Sequence, residues 1–361
     1  MQKSLRVLVV GPAASSPESR GGMATVVKLM LADPSADIVT SSIATYVDST
    51  RLRKLVVGVT GVLRASWAVG RGRADVLHVH LAHGGSVLRK SVPMAVARRV
   101  GVTVIVHAHS YDFAGWFDRL PGPARAFVRS ALAADRWLVL GTELAVEYAD
   151  RVGLDPESVT VLYNPVRLPE AVAPQEDTNV IRIVTLGRLG QRKGSFDLID
   201  AVASLPVEIR RRMSVTMCGD GDVDEVRESV RRNGIDDVVT VRGWTSPEDC
   251  AEILSRSHVF VLPSYSEGLP MALLEAMSHG LAPVTTPAGS IGEVVTDDVD
   301  ALVVTPGDVP ALATSLRRVV EDGDARRRIA AAARATASRF DVDTWYASLN
   351  GIWRDARGVG K

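Results

Sequence analysis

Short aliphatic, β-branched runs alternate along this chain with longer stretches whose apolar residues recur three and four apart. In the first half the runs Arg6–Val10, Ile38–Ser41, Val76–His80, Val102–His107, Trp137–Leu140 and Val159–Tyr163 predict strands. Helical spacing fills the gaps, at about Met23–Leu31, Leu52–Val69, Leu88–Arg99, Pro123–Ala134 and Glu143–Val152. Runs such as Arg6–Val10 are apolar without alternation, as a parallel strand buried on both faces requires. Asn164-Pro165 ends this half, and the polar run Leu168–Asn179 predicts a linker. The second half restarts with strands Ile181–Leu186, Ser214–Cys218, Val238–Arg242, Val259–Leu262, Ala282–Thr285 and Ala301–Val304. Helices Ser195–Ser204, Val223–Asn233 and Pro247–Ser255 fall between them. Strand and helix in regular alternation predict two doubly wound α/β domains, residues 1–166 and 180–340, with a helical segment over 341–361. The Ala/Arg-rich stretch Asp324–Arg339 reads as a solvated helix. Such sheets bind ligands beyond the carboxyl ends of their strands, so the loops after the strands matter most.

Leu262–Gly280, LPSYSEGLPMALLEAMSHG, is the most informative of these. Pro270 suits the first position of a helix and Gly280 the residue past its end. The N–H groups near Gly268, Leu269 and Met271 would then leave a helix N-terminus ready for a phosphate. Glu267 before the helix and Glu275 inside it bracket that mouth. Carboxylates beside a diphosphate need hydroxyl partners, which a sugar and a ribose would provide. After strand Ile181–Leu186, Gly187-Arg188 and Lys193-Gly194 put a guanidinium and an ammonium at a strand end, suited to phosphate oxygens. Gly21-Gly22, after the first strand, lets backbone approach a ligand without a Cβ in the way.

Five of the seven histidines lie between His78 and His109. Their spacing admits a metal site and hence a metal-dependent hydrolase, although the cluster shows no evident carboxylate beyond Asp112. For His78 and His80 the plainer expectation is polar residues at strand ends, lining a cleft. Asp-x-Asp, a metal-binding signature, occurs at Asp220, Asp298 and Asp341, too often to discriminate. Asp220-Gly221-Asp222 lacks the third glycine of a dinucleotide fingerprint, so a nicotinamide cofactor is a weak reading.

Taken together, SEGLPMALLEAMSHG with its two glutamates and GRLGQRKG resemble the retaining glycosyltransferases grouped as family four, which have the GT-B fold of two Rossmann-like domains facing across a cleft. The resemblance runs over nearly the whole chain and is closest from Ile181 to Glu293. It implies a nucleotide diphosphate sugar donor, a hydroxyl acceptor, no metal and no other cofactor, with same-face transfer through the departing phosphate. It implies that Arg188 and Lys193 steady the diphosphate and that Glu275 holds the ribose. Glu267 and the backbone from Gly268 through Leu269 and Pro270 to Met271 would hold the sugar and its phosphate. Gly21, Gly22 and Gly187 would line the donor, and His109, in His-Ser-Tyr-Asp, would bond its sugar, with His107 the alternative in register. It also implies a last helix returning to the first domain. An epimerase and a non-catalytic nucleotide-sugar binder share this architecture.

Charge adds one asymmetry. The 361 residues are neutral overall, but residues 1–165 hold 19 Lys and Arg against 13 Asp and Glu, net +6, and the remainder 23 against 29, net −6. That balance argues against a nucleic-acid partner. Cys218 and Cys250 lack metal-ligand spacing and read as reduced thiols of a cytoplasmic protein. No apolar run approaches the ~18 residues of a membrane span, so any membrane contact would be peripheral. A candidate exists. Between Asp48 and Asp75 no acid interrupts Arg51, Arg53, Lys54, Arg64, Arg71 and Arg73, and Leu52, Leu55, Val56, Val59, Leu63 and Trp67 share a helical face. Packing on the sheet is expected to cover most of that stripe.

Overall fold

The computed structural model describes residues 4–14, 21–172 and 178–359. Arg20, which precedes the Gly21-Gly22 pair, and part of the expected linker lie outside the described residues. Contacts divide the chain into two units, residues 1–164 with 343–361, and residues 165–342.

In the N-terminal unit six strands, β1 (Leu5–Pro12), β2 (Ile38–Tyr46), β3 (Val76–Leu81), β4 (Thr103–Ala108), β5 (Arg136–Val139) and β6 (Val159–Val161), form a parallel sheet in the order β2-β1-β3-β4-β5-β6. β1, β3 and β4 are buried on both faces, which is why they read as unbroken apolar runs. β2 is longer than its apolar start suggests. It is an edge strand paired with β1 alone, so Thr40, Ser41 and Ser42 can continue it at little cost. Helices α1 (Gly22–Leu31), α2 (Arg51–Gly70) and α3 (Gly85–Val100) connect the first four strands. A short helix, Phe113–Asp118, was not foreseen in Phe-Ala-Gly-Trp-Phe; it exists because Phe113 and Phe117 are buried. The last helix, Val342–Val359, buries Trp345, Tyr346, Leu349 and Trp353 in this unit, where Tyr346 Oη donates to Leu29 O and Asn350 Nδ2 to Ser35 Oγ.

The C-terminal unit repeats the plan with β7 (Ile181–Leu186), β8 (Met213–Cys218), β9 (Val239–Arg242), β10 (Val259–Leu262), β11 (Ala282–Thr285) and β12 (Leu302–Val303), in the order β12-β11-β10-β7-β8-β9. Strand order reverses between β7 and β10, so this sheet has its switch point at their carboxyl ends. Helix Gly323–Ala337 is not the solvated helix its composition suggests. Ala325, Ile329, Ala330, Ala333 and Ala337 are buried, and Arg326 with them, because Nη1 donates to Val319 O. Small side chains let the helix approach closely, and the arginines between them hid the pattern. Cys218 and Cys250 are free thiols.

Candidate active site

The loops after β7 and β10 meet at the C-terminal unit's switch point, and glycines bring them together. Gly194 has φ 67°, and a Cβ there would sit 2.1 Å from Pro263 O. Gly219, after β8, leaves its backbone so near Gly187 O that any side chain would collide. These approaches fold the 187–194 loop onto the ends of β8 and β10 and position its basic residues.

Lys193 Nζ lies 2.5 Å from Glu267 Oε1, which also accepts from Ser264 Oγ at 2.7 Å; Arg192 Nη1 stands 3.6 Å from Oε2. Glu267 is therefore no open loop acid. It is 7% exposed and engaged by three side chains. Burial lowers the Lys193 pKa, an effect that Glu267 opposes. Arg188 is exposed and, among the described residues, forms no ion pair. The carrier of free positive charge on this loop is thus Arg188, while Lys193 and Glu267 act as a pair.

The helix after β10 runs Met271–Ser278. Pro270 is its cap rather than its first residue, with extended φ −72° and ψ 122°, so the helix begins one residue later than expected. Gly280 follows the helix end at φ 71°. Gly289, φ 58°, packs its backbone on this loop, since a Cβ there would lie 2.1 Å from Glu267 O, and Ser290 N donates to Gly268 O at 2.9 Å. Thr286 Oγ1 donates to Ser264 O at 2.6 Å. Sequence reasoning passed over Arg192, Ser264, Thr286, Gly289 and Ser290. Ser264 and Arg192 lay inside the quoted motifs; nothing local marks the others. Glu275, on the helix, has its carboxyl pKa raised by burial, and among the described residues no cation pairs with it. A groove of about 600 Å³ lined by Ile181, Arg212, Asp322 and Arg326 lies at the opposite, amino end of the same sheet, where the switch-point rule expects no ligand.

In the N-terminal unit Gly21, φ 95°, caps α1, and its carbonyl accepts from Ala24 and Thr25. Gly22 opens the helix. His109 follows β4, its ring stacked on His80 at 4.9 Å and close to His107 at 4.2 Å. His80 Nε2 lies 3.2 Å from Met30 Sδ, which has no proton to give, so His80 carries its proton there. His80 Nδ1 then accepts from His109 Nε2–H at 2.9 Å, leaving His109 Nδ1 as an acceptor. Burial drives the His109 pKa down to about 3, so the ring is neutral at physiological pH.

His78 and His80 do not line an opening; both are 0% exposed. Trp353 Nε1 donates to His78 Nδ1 at 3.0 Å, tying the last helix to β3, and His78 Nε2 faces His107 Nδ1 at 3.4 Å. One ring nitrogen from each of His78, His80 and His107 lies within 4.8 Å of the others, the geometry from which a metal site could be drawn. The residues fit a metal poorly. Trp353 occupies His78 Nδ1, Met30 and His109 occupy both nitrogens of His80, and His107 Nδ1 faces His78 Nε2. Among the described residues this leaves His107 Nε2 alone of the six ring nitrogens without a partner, and no carboxylate belongs to the group.

The family model described as Glycosyltransferase Family 4 matches residues 7–169, and that described as Glycosyl transferases group 1 matches residues 169–336. The chain belongs to the family-four-like glycosyltransferases. A glycogen synthase of Mycobacterium tuberculosis is 28% identical over 75% of the chain and 66% of its own length. The chain thus spans just under two thirds of that relative. Among solved structures, sucrose-phosphate synthase from Thermosynechococcus elongatus has a TM-score of 0.80 at 17% identity, covering 98% of this chain and all of that one. Anabaena HepE in complex with UDP-glucose has a TM-score of 0.76 at 18% identity, covering 97% and 100%. The fold class of the family-four-like chain is α/β GT-B, with two doubly wound Rossmann-like domains.

Proposed function

We propose that this glycosyltransferase moves a sugar, with retention and without metal, from a nucleotide diphosphate sugar to a hydroxyl acceptor in glycan, glycolipid or glycoside biosynthesis. The observation that carries the proposal is the switch point of the C-terminal sheet, where the loop after β7 brings exposed Arg188 and the Lys193 that pairs with Glu267, and the helix after β10 carries half-buried, cation-free Glu275. HepE was solved with UDP-glucose, which puts uridine nucleotides first among donors to test.

Arg188 and the N–H groups at Met271 meet the diphosphate, whose charge grows as the C1–O bond breaks. Lys193, its charge partly balanced by Glu267, adds to that stabilisation and keeps the Gly268–Met271 loop in place. Glu275 accepts the ribose hydroxyls, which take the place of water on its half-buried carboxylate. His109 Nδ1 accepts from a sugar hydroxyl, and Gly21, Gly22 and Gly187 let backbone approach the donor. The acceptor oxygen bonds C1 on the face the phosphate leaves, and its proton passes to the departing phosphate oxygen. The reaction belongs in the cytoplasm, with peripheral contact to an anionic membrane.

Melting the protein with UDP, GDP and ADP tests the donor site, because a ligand bound to the native state raises Tm. UDP is expected to shift the parent, and Arg188→Ala to weaken that shift while leaving the ligand-free Tm unchanged. Turnover should survive EDTA and give a product with the donor's anomeric configuration. Turnover lost with EDTA and restored by one metal would overturn the metal-free part.

A further inference from the structure

Helix α2 is mounted with its small side inward. Gly58, Gly61, Ala65 and Val69 are buried, and a Cβ on Gly61 would lie 2.0 Å from Ala44 O. The helix therefore rests on the backbone of β2, and larger residues cannot take that face. Leu52 is 72% exposed, Leu55 63%, Val56 51%, Val59 51%, Leu63 64% and Trp67 49%. The sheet, expected to cover most of this stripe, leaves every one of these side chains at least about half exposed. Helix α3, packed along α2, adds exposed Leu88 and Val92.

Charge selects the partner. Arg51, Arg53, Arg64, Arg71 and Arg73 are exposed on or beside α2, and Arg73 stands 4.2 Å over the Trp67 ring. Lys54 lies 3.8 Å from Asp48, but from Ser49 to Tyr111 the only acid is Asp75, held by Arg6 at 2.7 Å. A second copy of this chain would set these cations against their equals. A bilayer with anionic headgroups offers both the apolar layer and the negative charge. Among the described residues no helix is long and apolar enough to cross a membrane, so the contact is one of lying on the surface.

We propose that α2, about 30 Å long, lies in the face of an anionic bilayer, its Leu–Val–Trp side among the acyl chains and its arginines at the headgroups. The acceptor is then a lipid-linked hydroxyl compound presented at that face. Only this assignment of the acceptor rests on the sugar-transfer reading; the docking does not.

The test is cosedimentation of the full chain with vesicles of phosphatidylcholine alone or mixed with phosphatidylglycerol. Binding is expected on the mixed vesicles at low salt, weakened by high salt and by removal of phosphatidylglycerol. Replacing Arg51, Arg53 and Lys54 by Gln should reduce it roughly a hundredfold, at about tenfold or less for each charge. Leu55→Ser with Leu63→Ser and Trp67→Ser should abolish it while leaving the UDP melting shift intact. No binding at low salt, or equal binding by either triple variant, overturns the proposal. So does lipid-free dimerisation that the apolar variant loses, which would make the face a contact between copies. Vesicle binding without nucleotide binding would sink the transfer reading and leave the surface standing; nucleotide binding without vesicle binding would do the reverse.

Discussion

Glu275 is a residue that opposes stability and, in the proposed reading, would serve binding. Burial raises its carboxyl pKa, so the ligand-free fold favours the protonated acid. Its contribution to stability is full below the unfolded carboxylate pKa and is lost as pH rises through the raised folded value. At neutral pH the charged form is a liability that ribose hydroxyls would relieve. Glu275→Gln is therefore expected to raise the ligand-free Tm, by about a kcal/mol in stability, and to weaken UDP binding by at least tenfold. Calorimetry and titration check both; a lower Tm with unchanged affinity would place Glu275 in the structural core instead. Lys193 and Glu267 teach a different lesson. Each stood out as a candidate in its own motif, but their 2.5 Å contact did not. They are 74 residues apart and meet because β7 and β10 are neighbours, a fact of strand order that local spacing does not contain.

Among elements, the central strands were the most legible, because burial on both faces leaves an unbroken apolar run. Edge strand β2 and the small-residue helix Gly323–Ala337 were less so, since polar residues are tolerated at an edge and alanine marks a buried face weakly. In α2 the apolar period was plain and the orientation was not. Gly58, Gly61 and Ala65 carried the missing signal, also three and four apart, but a glycine has no hydropathy to read. The histidines of β3 and β4 form an element-scale device with a pH signature. Burial holds His78 and His109 at about 3 and lowers His80 and His107 as well. Lowered imidazoles lend stability that is full above the unfolded value near 6.5 and is lost as pH falls from there toward 3. For fully buried His78 alone the loss by pH 5 is about 2 kcal/mol. Urea midpoints of the N-terminal unit should therefore fall steadily from pH 7 to pH 5, where few carboxylates titrate. A flat profile over that interval would mean the rings are charged or exposed.

At the scale of the molecule the two units are built unequally. The C-terminal unit is one continuous segment closed on itself, with Val166 N donating to Phe340 O and Val342 N to Val166 O. The N-terminal unit depends on a helix from the far end of the chain. Trp353 and Leu349 are 0% exposed, Trp345 and Tyr346 nearly so, and Trp353 supplies the hydrogen bond that His78 accepts. Burying each such side chain is worth about 1.5–3 kcal/mol, and four of them approach the whole stability of an ordinary domain, about 5–15 kcal/mol. Ending the chain after Val342 should accordingly unfold the N-terminal unit, leaving His78 without its partner, while the C-terminal unit keeps its core. The truncated protein is expected to lose one calorimetric transition and the low-pH sensitivity assigned to the histidines. It should keep a second transition that UDP still raises, because Arg188, Lys193, Glu267 and Glu275 all lie on the surviving segment. Trp353→Phe in the full chain separates packing from hydrogen bonding, since the ring remains and the donor to His78 goes. A smaller loss, about 1–3 kcal/mol, is expected there. If truncation left both transitions in place, the last helix would not be what holds the N-terminal unit together; if it removed both, the C-terminal unit would not be the self-sufficient segment that its closed strand ends describe.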